Sequence, residues 1–341
     1  MRVTDLLAAV EATADPGRAA SWDRSGVQIA GTRETCDKLA VALDPTPGFV
    51  AEALTWGAQV LLVHHPLVLS PRLPDRVDDY HRVLAMVLSS RAWLYAAHTS
   101  LDTAVDGPPA WLAEALGLTD RRVLEPAGKT PFFAAHWNVA APEAARNALE
   151  TLPGVTLAPP APGRLEAVFP QRLSARACDA VTAASPDAVL FSLTELAAPA
   201  ETYGYGCVGA LPEPVPFAAL LGRLATLLPR SFFPMAGEEP ETVATLAYCP
   251  GSGADMAGRA FAAGADVYLT GDLKYHQALA VPPGKCVLDV GHFSLEEVML
   301  RRFAEDLAAT LGSKGPAVRF FPGNDPFSAY VPQGASPRGT E

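Results

Sequence analysis

Strand-like and helix-like segments alternate along two long parts of the chain, and this pattern limits the fold more than any other feature. In the first 120 residues, apolar runs at 38–44, 58–66 and 92–102 alternate with helical patterns at 49–57, 80–91 and 108–118. The alternation returns between 243 and 321 and ends in the apolar run "AVRFF". Strands that alternate with helices form mostly parallel sheets covered by helices. The sequence therefore predicts an α/β fold with mostly parallel or mixed sheets.

A different pattern between residues 131 and 199 predicts an inserted domain. Two strand–helix halves are joined there by the proline-rich run "PGVTLAPPAPG", an order typical of ferredoxin-like domains. A chain of 341 residues suits about two domains. We predict a small ferredoxin-like α+β domain at 131–199, inserted between two halves of an α/β body at 1–130 and 200–341. The glycines of "YGYGCVGAL" (203–211) predict tight turns where the chain returns to the body.

Composition argues against several classes of protein. No apolar run approaches the ~18 residues of a membrane span, and "MRVTDLLAAVEATADPG" at the N-terminus lacks the unbroken apolar core of a signal peptide. The five cysteines are scattered without CxxC spacing, which favours a reducing compartment over a disulfide framework. A net charge of −11 without a Lys/Arg cluster argues against nucleic-acid binding. We therefore expect a cytoplasmic protein that binds neither membranes nor nucleic acid.

Two adjacent histidines, His64 and His65, follow the apolar run at 60–63 and precede Pro66. Side chains on a strand alternate between faces, but this alternation relaxes at the strand's end. Both imidazoles can then turn toward the carboxyl edge of the sheet, where open α/β sheets bind ligands. In isolation, a hydrogen-bonded core histidine and a loop cap explain the pair better.

The run "DVGHFSLEE" (289–297) places His292 four residues before Glu296. Ser294 and Glu297 have the spacing of a capping box, which predicts a helix with Ser294 as its N-cap. Glu296 is then free to point out of the first turn near His292, and the two form a candidate ligand pair. The structural alternative, favoured in isolation, is a carboxylate that complements the helix dipole.

The run "AAHTSLDTA" (96–104) places Asp102 four residues after His98, also beyond a predicted strand. Alone, Asp102 is typical of an Asx-turn. Parallel strands end at one edge of a sheet, however, so the candidates from all three strand ends can converge: His64, His65, Asp102, His292 and Glu296. Three imidazoles and two carboxylates suit Zn, Mn, Fe, Co or Ni rather than Ca or Mg. A bridging carboxylate would allow two divalent ions per chain, with His98 as a proton donor or orienting residue that does not bind metal.

Five runs, in order, resemble the signature blocks of the Nif-three-like dinuclear metal-centre family, also called GTP cyclohydrolase I type 2 homologues. They are "WDRSGVQIAG" (22–31), "LLVHHPLV" (61–68), "AAHTSLDTA" (96–104), "GADVYLTGDLKYHQA" (264–278) and "DVGHFSLEE" (289–297). The resemblance implies the Nif-three-like fold, the five metal ligands above with Glu296 bridging, and a toroidal homohexamer. It also implies a PII-like insert, of which 131–199 would be a shortened version. The family's usual insert has a "HPYEEP"-like turn where this chain has "SPDAVLF" (185–191).

Three further motifs each allow a structural and a functional interpretation. The loop "CPGSG" (249–253) is either a plain turn or a backbone cradle for a phosphate. In "TGDLKYHQ", Asp272, Lys274 and His276 either start a helix or contact a phosphate or a metal ligand. Trp22 and Asp23 are interpreted as a turn that closes the first helix onto the sheet.

These observations lead to two functional hypotheses. The first is a metal-dependent hydrolase of a nucleotide-like or other phosphorylated, anionic small molecule, with His98 as its catalytic proton donor. The second is a non-catalytic regulatory or scaffold protein that binds metal and whose insert senses a metabolite. Turnover of a nucleotide by the metal-loaded protein distinguishes them.

Overall fold

The computed structural model describes residues 1–104, 106–152 and 154–330. Its contacts divide the chain into two units, which we call the body (Met1–Glu125 with Gly204–Glu341) and the insert (Pro126–Tyr203). Pro153, the first residue of the predicted proline-rich loop, lies outside the described residues, as do residues 331–341 of the predicted second half. No helix in the described ranges is both long enough and apolar enough to cross a membrane.

The elements are numbered in chain order. The α-helices are α1 Val3–Glu11, α2 Pro47–Trp56, α3 Asp79–Ser90, α4 Thr99–Asp102, α5 Trp111–Leu116, α6 Pro142–Glu150, α7 Ser174–Ala184, α8 Phe217–Leu227, α9 Ala257–Ala262, α10 Tyr275–Leu279 and α11 His292–Leu311. The β-strands are β1 Gly26–Ile29, β2 Lys38–Ala42, β3 Val60–Val63, β4 Trp93–Ala96, β5 Thr119–Asn138, β6 Thr156–Leu157, β7 Arg164–Pro170, β8 Val189–Pro216, β9 Met235–Gly237, β10 Thr242–Tyr248, β11 Val267–Thr270, β12 Cys286–Asp289 and β13 Ala317–Phe320.

The first sheet of the body has the strand order β1-β4-β3-β2-β13. Strands β4, β3, β2 and β13 are parallel, and β1 lies antiparallel to β4. Leu62 of β3 packs in one core cluster with Leu6 of α1, whereas Leu61 packs in another with Val50 of α2 and Val83 of α3. Burial of both faces explains why β3 is an unbroken apolar run rather than an alternating one.

The second sheet of the body is also mixed. Strands β10, β11 and β12 are parallel, while β8 and β9 pair antiparallel with β10 and β12 respectively. Strand β12 is completely buried, and α11 follows it after one short turn. The predicted α/β fold with mixed sheets is therefore confirmed.

The insert contains α6, β6, β7 and α7 together with parts of β5 and β8, two strands that each contribute residues to both units. Strand β7 pairs antiparallel with β5 and with β6. A separate core, which includes Trp137, Leu149, Phe169 and Val181, stabilises this unit. Its classification as a ferredoxin-like domain with bounds 131–199 stays a prediction.

The predicted tight turns at 203–211 are wrong, because this segment lies within β8. Its glycines permit close contact with neighbouring backbone instead. A Cβ at Gly206, where φ is +64°, would lie 2.8 Å from the carbonyl oxygen of Tyr248, and a Cβ at Gly209 would lie 2.9 Å from that of Thr119. Glycine inside a strand often marks such an approach.

Candidate metal centre

Ends of strands from both body sheets meet at the candidate site. His64 and His65 directly follow β3, Asp102 ends the one-turn helix α4 after β4, and His292 begins α11 after β12. The expectation that all candidates share one sheet edge is wrong, because β3 and β4 belong to the first sheet and β12 to the second. The Nε2 atoms of His65 and His292 are nevertheless only 3.2 Å apart.

The start of α11 differs from the predicted capping box. The helix begins at His292, directly after Gly291, whose φ of +92° lets the chain turn out of β12. Ser294 therefore lies inside the helix, where its Oγ is enclosed and makes no hydrogen bond. Glu297 accepts a hydrogen bond from the backbone N–H of Gly323 at 2.8 Å rather than capping the helix. His292 and Glu296 are thus four residues apart inside one helix, on the same face.

The Glu296 carboxylate is surrounded by three imidazoles. Its Oε2 lies 2.9 Å from His292 Nε2 and 3.0 Å from His65 Nε2, and its Oε1 lies 3.4 Å from His64 Nε2. Asp102 Oδ1 lies 3.7 Å from the same His64 nitrogen. The structure therefore brings together all five side chains that the sequence singled out.

Several of these atoms are enclosed and lack a hydrogen bond of acceptable geometry: His64 Nε2, Asp102 Oδ1 and Glu296 Oε2. Buried polar atoms normally have a partner. Among the described residues, two groups have potential ligand atoms within 4.8 Å of one another, His64 with His65 and His98, and His65 with His292 and Glu296. Converging nitrogen and carboxylate donors without partners fit a divalent transition-metal ion, which would satisfy them.

One hydrogen-bond pattern orients all four histidines of this cluster. In each ring Nδ1 donates to an oxygen, which leaves Nε2 free to face the centre. The acceptors are Ala97 O for His64 (2.8 Å), Asp44 Oδ1 for His65 (2.7 Å), Asp23 Oδ1 for His98 (2.7 Å) and Asp272 Oδ2 for His292 (2.8 Å). Histidines that bind metals typically donate their other ring nitrogen to such an acceptor, which fixes the ring and its tautomer.

Asp23, predicted from the sequence only as part of a turn, lies at the candidate centre. Its buried carboxylate accepts hydrogen bonds from His98 Nδ1, Ser25 Oγ and Thr99 N. Burial acts to raise the pKa of Asp23, but these hydrogen bonds outweigh it and hold the pKa far below its usual value. The pairing of the short strand β1 with β4 places Asp23 beside His98. That strand is only four residues long, so its pattern gave little signal.

The site holds opposite charges in close contact. Burial lowers the pKa of His65, but the nearby carboxylates of Asp44 and Glu296 outweigh it and raise that pKa to about 10. For His292, Glu296 and Asp272 likewise outweigh burial and raise the pKa to about 9. Burial raises the pKa of Asp102 to about 6. Without metal these carboxylates therefore favour the protonated form of both imidazoles at neutral pH, and a metal ion that binds their Nε2 atoms would have to displace those protons.

Gly251 of the "CPGSG" loop packs directly against this centre. A Cβ at Gly251 would overlap Glu296 Oε1 and lie 3.6 Å from His292 Nε2, and the residue has a φ of +67°. In "TGDLKYHQ", Asp272 fits the functional interpretation as a contact of a metal ligand, because its side chain accepts a hydrogen bond from the ring of His292. Both motifs thus lie at the candidate centre.

A cavity of about 450 Å³ opens beside His65 and His292. Its apolar wall includes Leu43, Leu273, Phe293, Pro326 and Phe327. Its polar wall includes Asp44, Arg230, Asp272, Asp289 and Asp325. This volume lies within the range of roughly 300–1,000 Å³ that is typical of small-molecule sites.

Comparison with known proteins finds relatives that match nearly the whole chain. The chain is 28% identical to the GTP cyclohydrolase 1 type 2 homolog of Mycobacterium tuberculosis over 360 aligned positions, which cover 93% of this chain and 94% of that protein. A Bacillus cereus protein related to NIF3 has a similar structure, with a TM-score of 0.76, 26% identity and coverage of 97% of this chain and 99% of that one. Staphylococcus aureus protein SA1388, with a TM-score of 0.68, 21% identity and coverage of 97% and 99%, supports the fold alone.

A protein-family model matches nearly all of the described residues. The model of the Duf34/NIF3 (NGG1p interacting factor 3) family matches residues 1–325, which include every candidate ligand. The expected resemblance is thereby confirmed, and the chain belongs to the Duf34/NIF3 family.

Proposed function

We propose that the chain binds two divalent metal ions and hydrolyses a small anionic molecule of the nucleotide or phosphoester type. The proposed ligands are His64, His65, Asp102, His292 and Glu296. The observation that carries the proposal is the Glu296 carboxylate, which contacts three imidazoles through two oxygens and lies beside a cavity. A carboxylate in that position can serve two ions at once.

The donor set limits the metal and the substrate. Nitrogen and carboxylate ligands without a thiolate favour Zn, Mn, Fe, Co or Ni. Asp102 and Glu296 supply two negative charges, so two divalent ions leave the centre with a net positive charge that attracts an anionic group. Divalent ions in such centres supply Lewis acidity and a nucleophile at neutral pH.

His98 is the proposed proton donor. Asp23 holds its Nδ1 at 2.7 Å, and its ring centroid lies 5.2 Å from that of His64 and 5.7 Å from that of His65. A ring fixed in this way can deliver a proton from Nε2 to a leaving group without serving as one of the five ligands. The cavity beside His65 and His292 would receive the remainder of the substrate, with Phe293 and Phe327 in its wall.

The name of the mycobacterial relative indicates the first compounds to test. Because that protein is called a GTP cyclohydrolase 1 type 2 homolog, GTP and related purine nucleotides come first, followed by phosphoesters and cyclic amides. Elemental analysis and the activity screen are carried out on one metal-loaded preparation, with Glu296→Gln as the control. Two ions per chain with turnover that the control lacks support the proposal.

Two other results of this experiment would contradict parts of the proposal. At most one ion per chain after loading contradicts the dinuclear centre. Two ions without turnover of any compound contradict the hydrolase and leave the regulatory or scaffold function as the better account.

The family resemblance also leads us to propose a toroidal homohexamer. The segment between β3 and α3 exposes large apolar side chains, Leu69, Leu73 and Val77, which are available for contacts between subunits. Light scattering that gives about six times the chain mass of 35.8 kDa supports this assembly, and a monomeric mass contradicts it.

A further inference from the structure

One carboxylate outside the metal centre joins three segments of the body. Asp289, the last residue of β12, accepts hydrogen bonds at Oδ1 from Arg230 Nη1 (2.9 Å) and from the backbone N–H of Gly291 (3.0 Å). Its Oδ2 accepts from the backbone N–H of Leu273 (3.0 Å). The Asp289 side chain is only 12% exposed, so these contacts replace water almost completely.

Two of these contacts flank one ligand and the residue that orients it. Gly291 directly precedes His292, and Leu273 directly follows Asp272, which accepts from His292 Nδ1 at 2.8 Å. Asp272 has a φ of +58°, a left-handed conformation that is uncommon for a residue other than glycine. Residues in such conformations persist only where the surrounding structure holds them.

Arg230 holds the carboxylate from its other side. Its side chain is 8% exposed, and its guanidinium carbon lies 4.4 Å from the ring centroid of Phe232. It also packs so closely on Gly291 that a Cβ there would overlap the guanidinium. The guanidinium therefore has a fixed position and offsets the buried charge of Asp289.

From these contacts we infer that Asp289, held by Arg230, is a positioning residue that sets the His292–Asp272 pair for metal binding. Asp289 fixes the loop after β11 and the start of α11 relative to each other, and the orientation of the His292 ring depends on both segments. The inference deepens the proposed function and rests on its metal binding, but it requires no turnover.

Cobalt(II) binding tests the inference, because its visible absorption reports the ligand geometry directly. Asp289→Asn keeps the size of the side chain but leaves a single acceptor oxygen for donors from three segments. We expect cobalt affinity to fall about 10–100-fold, as is typical when outer partners of metal ligands are lost, together with a changed absorption spectrum.

Asp266→Asn is the matched control. Asp266 Oδ2 also accepts from two backbone N–H groups, those of Ala244 (2.9 Å) and Thr245 (3.0 Å), and its Oδ1 lies 3.8 Å from Lys285 Nζ. It precedes β11, however, and so lies at the strand end away from Asp272. The control should lose similar stability yet keep the wild-type cobalt affinity and spectrum.

Arg230 provides a second pair of variants in case Asp289→Asn does not fold. Arg230→Met should weaken cobalt binding and change the spectrum, whereas Arg230→Lys should restore most of both. If Asp289→Asn, or Arg230→Met in its place, binds cobalt as the Asp266→Asn control does, the inference is wrong. Wild-type protein that takes up no cobalt contradicts the proposed function instead.

Discussion

Glu296 and Glu297 are neighbours in α11 with the same chemistry and different surroundings. Both are 3% exposed, but Glu296 faces three imidazoles and Glu297 accepts from Gly323 N. Glu296→Gln should abolish binding of both ions, because a neutral amide can neither bridge them nor balance their charge. Glu297→Gln should keep two ions and cost about 0.5–1.5 kcal/mol of unfolding free energy for a weakened hydrogen bond. Elemental analysis and denaturant unfolding of both variants measure these effects; equal metal contents would contradict the assignment.

Only glycine fits at position 251, because the Glu296 carboxylate occupies the place of a Cβ atom there. In Gly251→Ala, the new Cβ overlaps Glu296 Oε1 in a backbone conformation that L-residues avoid, so the carboxylate must move. We expect at least a ~10-fold loss of metal affinity, as for other disturbed ligand positions. Gly222→Ala is the control, since Gly222 lies within α8 and a Cβ there would meet no atom within 4 Å outside the neighbouring helix backbone. Titration calorimetry with zinc compares the two, and equal affinities would remove Gly251 from the site.

A variant of His98 tests its proposed role as a proton donor apart from metal binding. His98→Ala should retain both metals yet reduce turnover by roughly 10²–10⁴, the usual contribution of a positioned acid or base. Metal content and rate are measured on the same sample. A variant with an empty centre would show that His98 is a ligand or supports the fold, and its role as proton donor would be withdrawn.

The pH dependence of cysteine labelling tests how deeply each thiol is buried. Burial raises the pKa of Cys36 to about 11 and that of Cys286 to about 12, while Cys178 is only half-buried. The reactive thiolate forms as the pH rises toward the pKa, so at pH 8 only about one in a thousand Cys36 thiols is ionised. Labelling with iodoacetamide should modify Cys178 first and reach Cys36 and Cys286 only at higher pH or after unfolding. Peptide mass spectrometry follows each site; rapid labelling of Cys286 at pH 8 would contradict its burial.

The pattern of apolar residues predicted strands β2, β3, β10, β11 and β12 and, in the body, helices α2, α3, α5, α9 and α11. Strands β2, β3, β11 and β12 are buried on both faces, so their sequences are short apolar runs bounded by polar residues. The start of α11 was predicted three residues too late, with Ser294 in place of Gly291 as the N-cap. Ser294 and Glu297 have the spacing of a cap, but the turn at Gly291 starts the helix before them.

The contacts around the site were harder to predict than the ligands. The proposed ligands follow strand ends, which a sequence pattern reveals, whereas Asp23, Asp44 and Asp289 form hydrogen bonds with His98, His65 and Arg230, which lie 75, 21 and 59 positions away. The site also joins two sheets where the pattern suggested one edge. Hydrophobic periodicity contains no information about which sheets will face each other.

Every proposed ligand lies in the body and none lies in the insert. Deletion of 131–199, with a short Gly/Ser linker in its place, should leave a body that folds and binds metal, because the insert has its own core. Circular dichroism and elemental analysis of the shortened chain test this. Insoluble protein, or soluble protein without metal, would show that the insert completes the body.

The proposed ligands are far apart in the sequence, and this separation links metal supply to the lifetime of the protein in the cell. His65 and His292 are 227 positions apart, so metal bound as proposed would join distant parts of one polypeptide, and would do so only when the body is folded. At a free metal concentration of 100 times the dissociation constant, such binding adds about 2.7 kcal/mol to stability. Proteases act on the transiently opened chain, and 2.7 kcal/mol of added stability lowers the population of that opened chain about 100-fold. Metal starvation should therefore shorten the lifetime of this protein, and its abundance would follow the metal supply even at constant synthesis.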